Sequence, residues 1–176
     1  MTVKSESSDH PTPDWLFNLM DRFFSFSLDV AASRHNNKCA QFFTESDDAL
    51  AQRWTGRCWM NPPYGNGIER WVEKAWREVD SGSADVVVGL LPARTSANWY
   101  HDHVLNKAIV IPVRGRLRFL GNNEDALFAS LIAIWLPQIS KQSALMRGID
   151  TRTRDYCPES TSPLYEIMKK LNEGEK

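Results

Sequence analysis

Residues 85–91 read Asp-Val-Val-Val-Gly-Leu-Leu and run into Pro92. This apolar run is far shorter than the ~20 residues of a membrane helix. It also lacks the alternation that leaves one face of a sheet wet. It predicts a strand buried on both faces, which arises where helices cover each side of a parallel sheet. That requirement points to an α/β architecture in which strands and amphipathic helices take turns.

The remaining segments fit that alternation. Thr12-Pro13 reads as an N-cap followed by a first-turn proline, and Trp15, Leu16, Leu19, Met20 and Phe23 then recur at helical spacing. Residues 24–30 alternate apolar and polar and predict a strand, with Asp29 near its end and the small Ala31-Ala32-Ser33 beyond. Residues 34–56 are polar and read as irregular. A short strand is expected over 57–60. Ile68, Trp71, Val72, Ala75, Trp76 and Val79 then form a strong helical stripe closed by Gly82. A short helix over 98–105 and strands over 108–113, 115–121 and 127–136 follow, with a last amphipathic piece at Leu164, Ile167, Met168 and Leu171. Of the tryptophans, Trp71 and Trp76 fall on the helical stripe and suit the core. Trp54 and Trp99 lie in less regular surroundings and are the better candidates for ligand contact.

The 176 residues suit one domain. We expect a loose tail over 1–11, the folded domain over 12–140 and a partly helical extension over 141–176. A hydrophobic fraction of 42% excludes a disordered chain. Neither a membrane span nor a secretory signal is visible, and three cysteines are an odd count, so a reducing cytoplasm is the expected setting. The formal net charge of −1 removes any whole-chain basic field, so a nucleic-acid partner would have to be met by a local patch. His35 with Cys39, and His101 with His103, have no further pair to complete a zinc site, and no metal is expected.

Asn61-Pro62-Pro63-Tyr64 carries the chemistry. It follows a strand directly, at the carboxyl end where α/β folds bind ligands. Its prolines hold the backbone stiff. The Asn61 side-chain carbonyl and the Pro62 main-chain carbonyl can then converge on one planar amino group, while Tyr64 offers a flat face to a ring. An exocyclic amine is a poor nucleophile because its lone pair is delocalised into the ring. Two acceptors on its N–H groups push density back onto nitrogen and favour a tetrahedral geometry, by orientation and electrostatics.

Asn-Pro-Pro-Tyr after a strand resembles the catalytic segment of S-adenosylmethionine-dependent amino methyltransferases. The ordered set Thr12-Pro13, Phe26-Ser-Leu-Asp-Val-Ala-Ala32, Asn36, Cys39, Phe43-Thr44, Asp48-Ala-Leu50, Trp54, Gly56-Arg57, Trp71-Val-Glu-Lys74, Leu91-Pro-Ala-Arg-Thr95, Trp99 and Arg114-Gly-Arg-Leu-Arg-Phe119 resembles the phage DNA N-6-adenine methyltransferase (Dam-type) family. The resemblance implies a Rossmann-like methyltransferase fold, mostly parallel, and methyl transfer from S-adenosylmethionine to N6 of adenine in DNA, in a bacterial host. It makes Asn61, Pro62, Pro63 and Tyr64 the catalytic loop. It gives Asp29 and Ala31 to the first cofactor motif, Thr12 and Pro13 to the methionine end of the cofactor, and Asp48 to its adenosine. Asp29 also suits a turn, and Asp48 suits capping of a helix beginning at Ala49. The same four-residue segment serves enzymes acting on RNA amines or protein glutamine, and an inactive DNA-binding relative would share the fold.

Arg114, Arg116 and Arg118 are spaced by two and would share one face of a strand, where three guanidiniums suit phosphates. Such a row also suits a solvated edge strand. Arg94 follows the buried strand at its carboxyl end and joins these candidates for DNA binding. A base in a duplex would have to leave the stack to reach Asn61.

Overall fold

The computed structural model describes residues 11–119, 126, 128–137, 149–150 and 169. Helix α1 (Asp14–Phe24) is followed by strands β1 (Leu28–Asp29) and β2 (Gln41–Phe42), a single 3-10 turn at Glu45–Asp47, and β3 (Gly56–Met60). Helix α2 (Ile68–Asp80), strand β4 (Ala84–Pro92), helix α3 (Asn98–His103), β5 (Ile109–Arg114), β6 (Ser130–Trp135) and the two-residue β7 (Ile149–Asp150) complete the order. The strands form one seven-stranded sheet in the order β2-β1-β3-β4-β6-β5-β7. β2, β1, β3 and β4 pair in parallel, and β6 runs antiparallel between β4 and β5. The carboxyl ends of β1, β3, β4 and β5 therefore share one edge of the sheet.

The apolar run behaves as its composition requires. Val86, Val88 and Leu90 point to the face covered by α1, where they meet Leu16, Met20 and Phe24. Val87 and Leu91 point to the other face, against Val72, Ala75 and Val79 of α2 and Trp99 and Tyr100 of α3. Helix α2 stops as expected. Gly82 adopts φ 72 and its N–H reaches back to the Val79 carbonyl at 3.0 Å.

Several expectations are corrected. Helix α1 begins at Asp14, with Pro13 rather than Thr12 at the N-cap, and Thr12 is buried. Residues 24–27 are not strand. The helix continues through Phe24, Ser25 takes a left-handed φ of 49°, and the Asp21 carboxylate accepts the Phe26 N–H at 2.7 Å. The alternation there comes from Phe24 and Phe26, whose rings stack at 5.8 Å. The stretch over 34–56 contains β2, a strand too short and too exposed to leave a pattern. Between β1 and β3 the chain thus spends one two-residue strand and one 3-10 turn, with no helix of α type.

No strand follows β5 over 115–119, because Gly115 turns the chain at φ 84. Leu117 and Phe119 are nonetheless buried while Arg116 and Arg118 are exposed, so the alternation survives without a ladder. The tryptophans are also exchanged. Trp54 and Trp99 are core residues, Trp54 donating its ring N–H to the Ala49 carbonyl at 2.8 Å, whereas Trp71 and Trp76 are half-buried. The amphipathic piece around Leu164–Leu171 lies outside the described residues, apart from Lys169.

Candidate active site

β1 ends at Asp29, which is only 3% exposed. Its two carboxylate oxygens accept main-chain N–H groups from Ala31, at 3.2 Å, and Lys38, at 3.0 Å. Burial pushes its pKa up to about 6, against the opposing pull of those N–H groups and the Lys38 charge. The small residues after β1 let the chain fold back closely. Ser33 and Asn36 close a tight turn through a 2.6 Å bond from the Ser33 N–H to Asn36 Oδ1, and this brings Lys38 over Asp29.

β3 lies beside β1 in register, Asp29 opposite Trp59, and the Val30 N–H bonds the Trp59 carbonyl at 3.0 Å. Two residues on, Asn61 emerges at the same edge. Asp29 and Asn61 line one open cleft with Pro11, Thr12, Ala31, Asn36, Lys38 and Trp59. The Asn61 side-chain oxygen is buried. Lys38 also forms an ion pair with Asp14 from the first turn of α1.

Pro62 is buried and Pro63 exposed. Tyr64 packs edge-on against Phe119 and Phe128, at ring separations of 6.1 and 5.2 Å, and its hydroxyl donates to the Leu90 carbonyl at 3.2 Å. Burial pushes its phenol above the ordinary value, which keeps it a donor. The ring thus lies against two aromatic neighbours instead of standing clear as a flat platform.

Of the residues expected to serve the site, Thr12, Asp29, Ala31 and Asn61 come together in the cleft. Pro13 caps α1 next to it without lining it. Asp48 does not join them. It is exposed, closes the 3-10 turn at a left-handed φ of 47°, and no helix starts at Ala49. Sequence reasoning missed Pro11, Asn36, Lys38 and Trp59 as residues of the site. Trp59 could have been found, since it lies two residues before Asn61 on the same side of an extended strand. Lys38 carries no signal in a polar loop.

Arg94, Arg114, Arg116 and Arg118 are exposed along the carboxyl edge, on the β4–β5 side of the cleft. The Arg116 guanidinium bonds the Ala126 carbonyl at 3.0 Å, and the Ala126 N–H bonds the Leu117 carbonyl at 2.8 Å. Among the described residues no cluster of three His, Cys, Asp or Glu could hold a metal ion, and no helix is long and apolar enough to cross a membrane.

Helices on both faces of a mostly parallel sheet, an antiparallel strand inserted near one side, and a cleft at the carboxyl edge define a Rossmann-like methyltransferase domain. Residues 1–145 match the family described as DNA N-6-adenine-methyltransferase (Dam). The chain belongs to this family, and it is an enzyme that methylates adenine N6 in DNA. It is 35% identical over 125 residues to the DNA N-6-adenine-methyltransferase of Haemophilus phage HP1 (strain HP1c1), covering 69% of this chain and 71% of that protein. It is 31% identical over 102 residues to the DNA N-6-adenine-methyltransferase of Escherichia phage T1, covering 56% of this chain and 41% of that protein.

Proposed function

We propose that the cleft between β1 and β3 binds S-adenosylmethionine, and that Asn61 with the Pro62 carbonyl presents the adenine amino group to it. One observation carries this reading: Asn61 and Asp29, at the carboxyl ends of adjacent parallel strands, face the same cleft. The donor set fits the cofactor. Asp29 is a buried carboxylate that accepts two main-chain N–H groups, suited to an ammonium, and Lys38 and Thr12 offer a cation and a hydroxyl beside it. Ala31 is small enough for the close approach that a nucleotide-like ligand requires. When bound, the cofactor supplies an electrophilic methyl carbon on a sulfonium.

The protein's own part is to hold and to polarise. The Asn61 side-chain oxygen and the Pro62 carbonyl accept the two N–H groups of the target amine, which directs its lone pair away from the ring and towards the cleft. The stiff Pro62-Pro63 backbone keeps both acceptors aimed, at little reorganisation cost. No base is required beforehand, because the amine proton becomes acidic only once the nitrogen carries its methyl group. Tyr64 steadies this loop through Leu90, Phe119 and Phe128. Arg94, Arg114, Arg116 and Arg118 take the DNA phosphates, and the target base reaches Asn61 by leaving the stack. Phage relatives support action in the cytoplasm of a bacterial host.

The test is labelled methyl transfer to unmethylated DNA followed by nucleoside analysis. Wild type should yield N6-methyladenine. Asn61→Ala should lose on the order of a hundredfold or more in turnover with its circular dichroism unchanged. Label in cytosine, or an active Asn61→Ala protein, overturns the assignment.

A further inference from the structure

Resting on the reading that the cleft takes S-adenosylmethionine, we propose that Lys38 anchors the carboxylate of the cofactor's amino-acid end, and that Asp14 stands in for that carboxylate in the free enzyme. Among the residues lining the cleft, Lys38 is the one cation and Asp29 the one carboxylate. Two opposite charges held in one small cleft match a zwitterion, an ammonium against Asp29 and a carboxylate against Lys38. One residue serves both positions, because the Lys38 N–H is bonded to Asp29 Oδ2 at 3.0 Å and Lys38 itself lines the cleft.

The Lys38–Asp14 pair is lopsided. The Lys38 side chain is 11% exposed, whereas Asp14 is 71% exposed and reaches in from the first turn of α1. An ion pair whose anion is mostly in water is weak and readily exchanged. A ligand carboxylate delivered with the rest of the cofactor is already positioned and less hydrated, so it displaces Asp14, which then returns to solvent. The competing account makes the pair a simple staple between the 31–40 loop and α1. The two accounts differ in which ligands feel the loss of Lys38.

Binding is measured by titration calorimetry for wild type, Lys38→Met, Lys38→Arg and Asp14→Asn. The ligands are S-adenosylmethionine, S-adenosylhomocysteine and 5′-methylthioadenosine, the last lacking the amino-acid end. Lys38→Met should weaken the first two by about tenfold or more and leave 5′-methylthioadenosine within about twofold. Lys38→Arg should recover most of the loss. Asp14→Asn, which removes only the competitor, should tighten S-adenosylmethionine by about twofold or more without changing 5′-methylthioadenosine. An equal loss for all three ligands, or no loss with Lys38→Met, overturns the anchor. A wild type that binds none of the three overturns the cofactor reading itself, and the anchor with it.

Discussion

The Tyr64 hydroxyl donates to the main-chain carbonyl of Leu90 at 3.2 Å, tying the loop that carries Asn61 to the strand at the centre of the sheet. The same ring rests edge-on against Phe119 and Phe128. Two kinds of restraint therefore hold one side chain, and substitution separates them. Tyr64→Phe keeps the ring contacts and should cost about 1 kcal/mol of stability with less than about a tenfold drop in methyl transfer. Tyr64→Ala loses both and should cost about 3 kcal/mol and most of the activity. Thermal melting with single-turnover kinetics checks this. A Phe variant that melts normally yet loses turnover as severely as the Ala variant would give the hydroxyl a part in the chemistry.

Asp29 makes stability depend on pH in an unusual direction. Its folded-state pKa of about 6 lies above the ordinary 3.8 because burial disfavours the charged form. Both states are protonated below the ordinary value. As pH rises through the window between the two values, the unfolded chain gives up its proton first, so the folded state loses ground by on the order of 3 kcal/mol. Above the folded-state pKa the cost is constant. Urea denaturation of wild type and Asp29→Asn from about pH 4 to pH 8 isolates this contribution. The wild-type stability minus that of the variant should fall between about pH 4 and pH 6 and then level off. Parallel curves would mean that Asp29 ionises as it does in water.

Gly56 opens β3 at φ 67, and a Cβ placed there would lie 2.7 Å from Ser27 Oγ. That hydroxyl accepts the Arg57 N–H at 3.1 Å, one of the bonds joining the start of β3 to the chain before β1. Gly56→Ala therefore meets both left-handed strain and a displaced hydroxyl, and should cost about 2–3 kcal/mol. Adding Ser27→Ala removes the colliding atom. The double variant should consequently be less destabilised than the sum of the two singles when all are compared by denaturant melts. Strict additivity would leave backbone strain as the whole cost.

The parts of this molecule that were legible in the chain are those whose signal is local and repeated. The 85–91 run, the Ile68–Val79 stripe and the proline-stiffened segment after Met60 each state their conformation without help from distant residues. Asp29 and Asn61 were legible as a pair because strand ends in a parallel sheet share an edge. β2 was not, since two half-exposed residues acquire strand geometry only from pairing with β1. Trp54 was misread for a similar reason. Its burial depends on the Ala49 carbonyl, supplied by a turn that no periodicity marks. Lys38 shows the deeper limit. Its place in the cleft is fixed by a main-chain bond to Asp29 and an ion pair to Asp14, 24 residues away, and neither leaves a trace in its own neighbourhood.

The exposed arginines at and beyond the end of β5 give the DNA reading its quantitative test. Arg114→Ala and Arg118→Ala each remove one positive charge and should weaken binding alike on all sequences. Each should also flatten the plot of log affinity against log salt by about 1. Turnover at saturating DNA should change little, because neither side chain lines the cleft. The Arg116 guanidinium also holds the Ala126 carbonyl at 3.0 Å and so ties the chain after β5 to the approach to β6. Arg116→Ala should therefore lower the melting temperature as well as the salt slope, whereas Arg116→Lys should recover much of the slope but little of the melting temperature. Fluorescence anisotropy with a labelled duplex across a salt series, run beside thermal melts, distinguishes these effects. An unchanged slope in all the Ala variants would reduce the arginine row to a solvated surface, and the phosphate contacts would have to be sought elsewhere on the carboxyl edge.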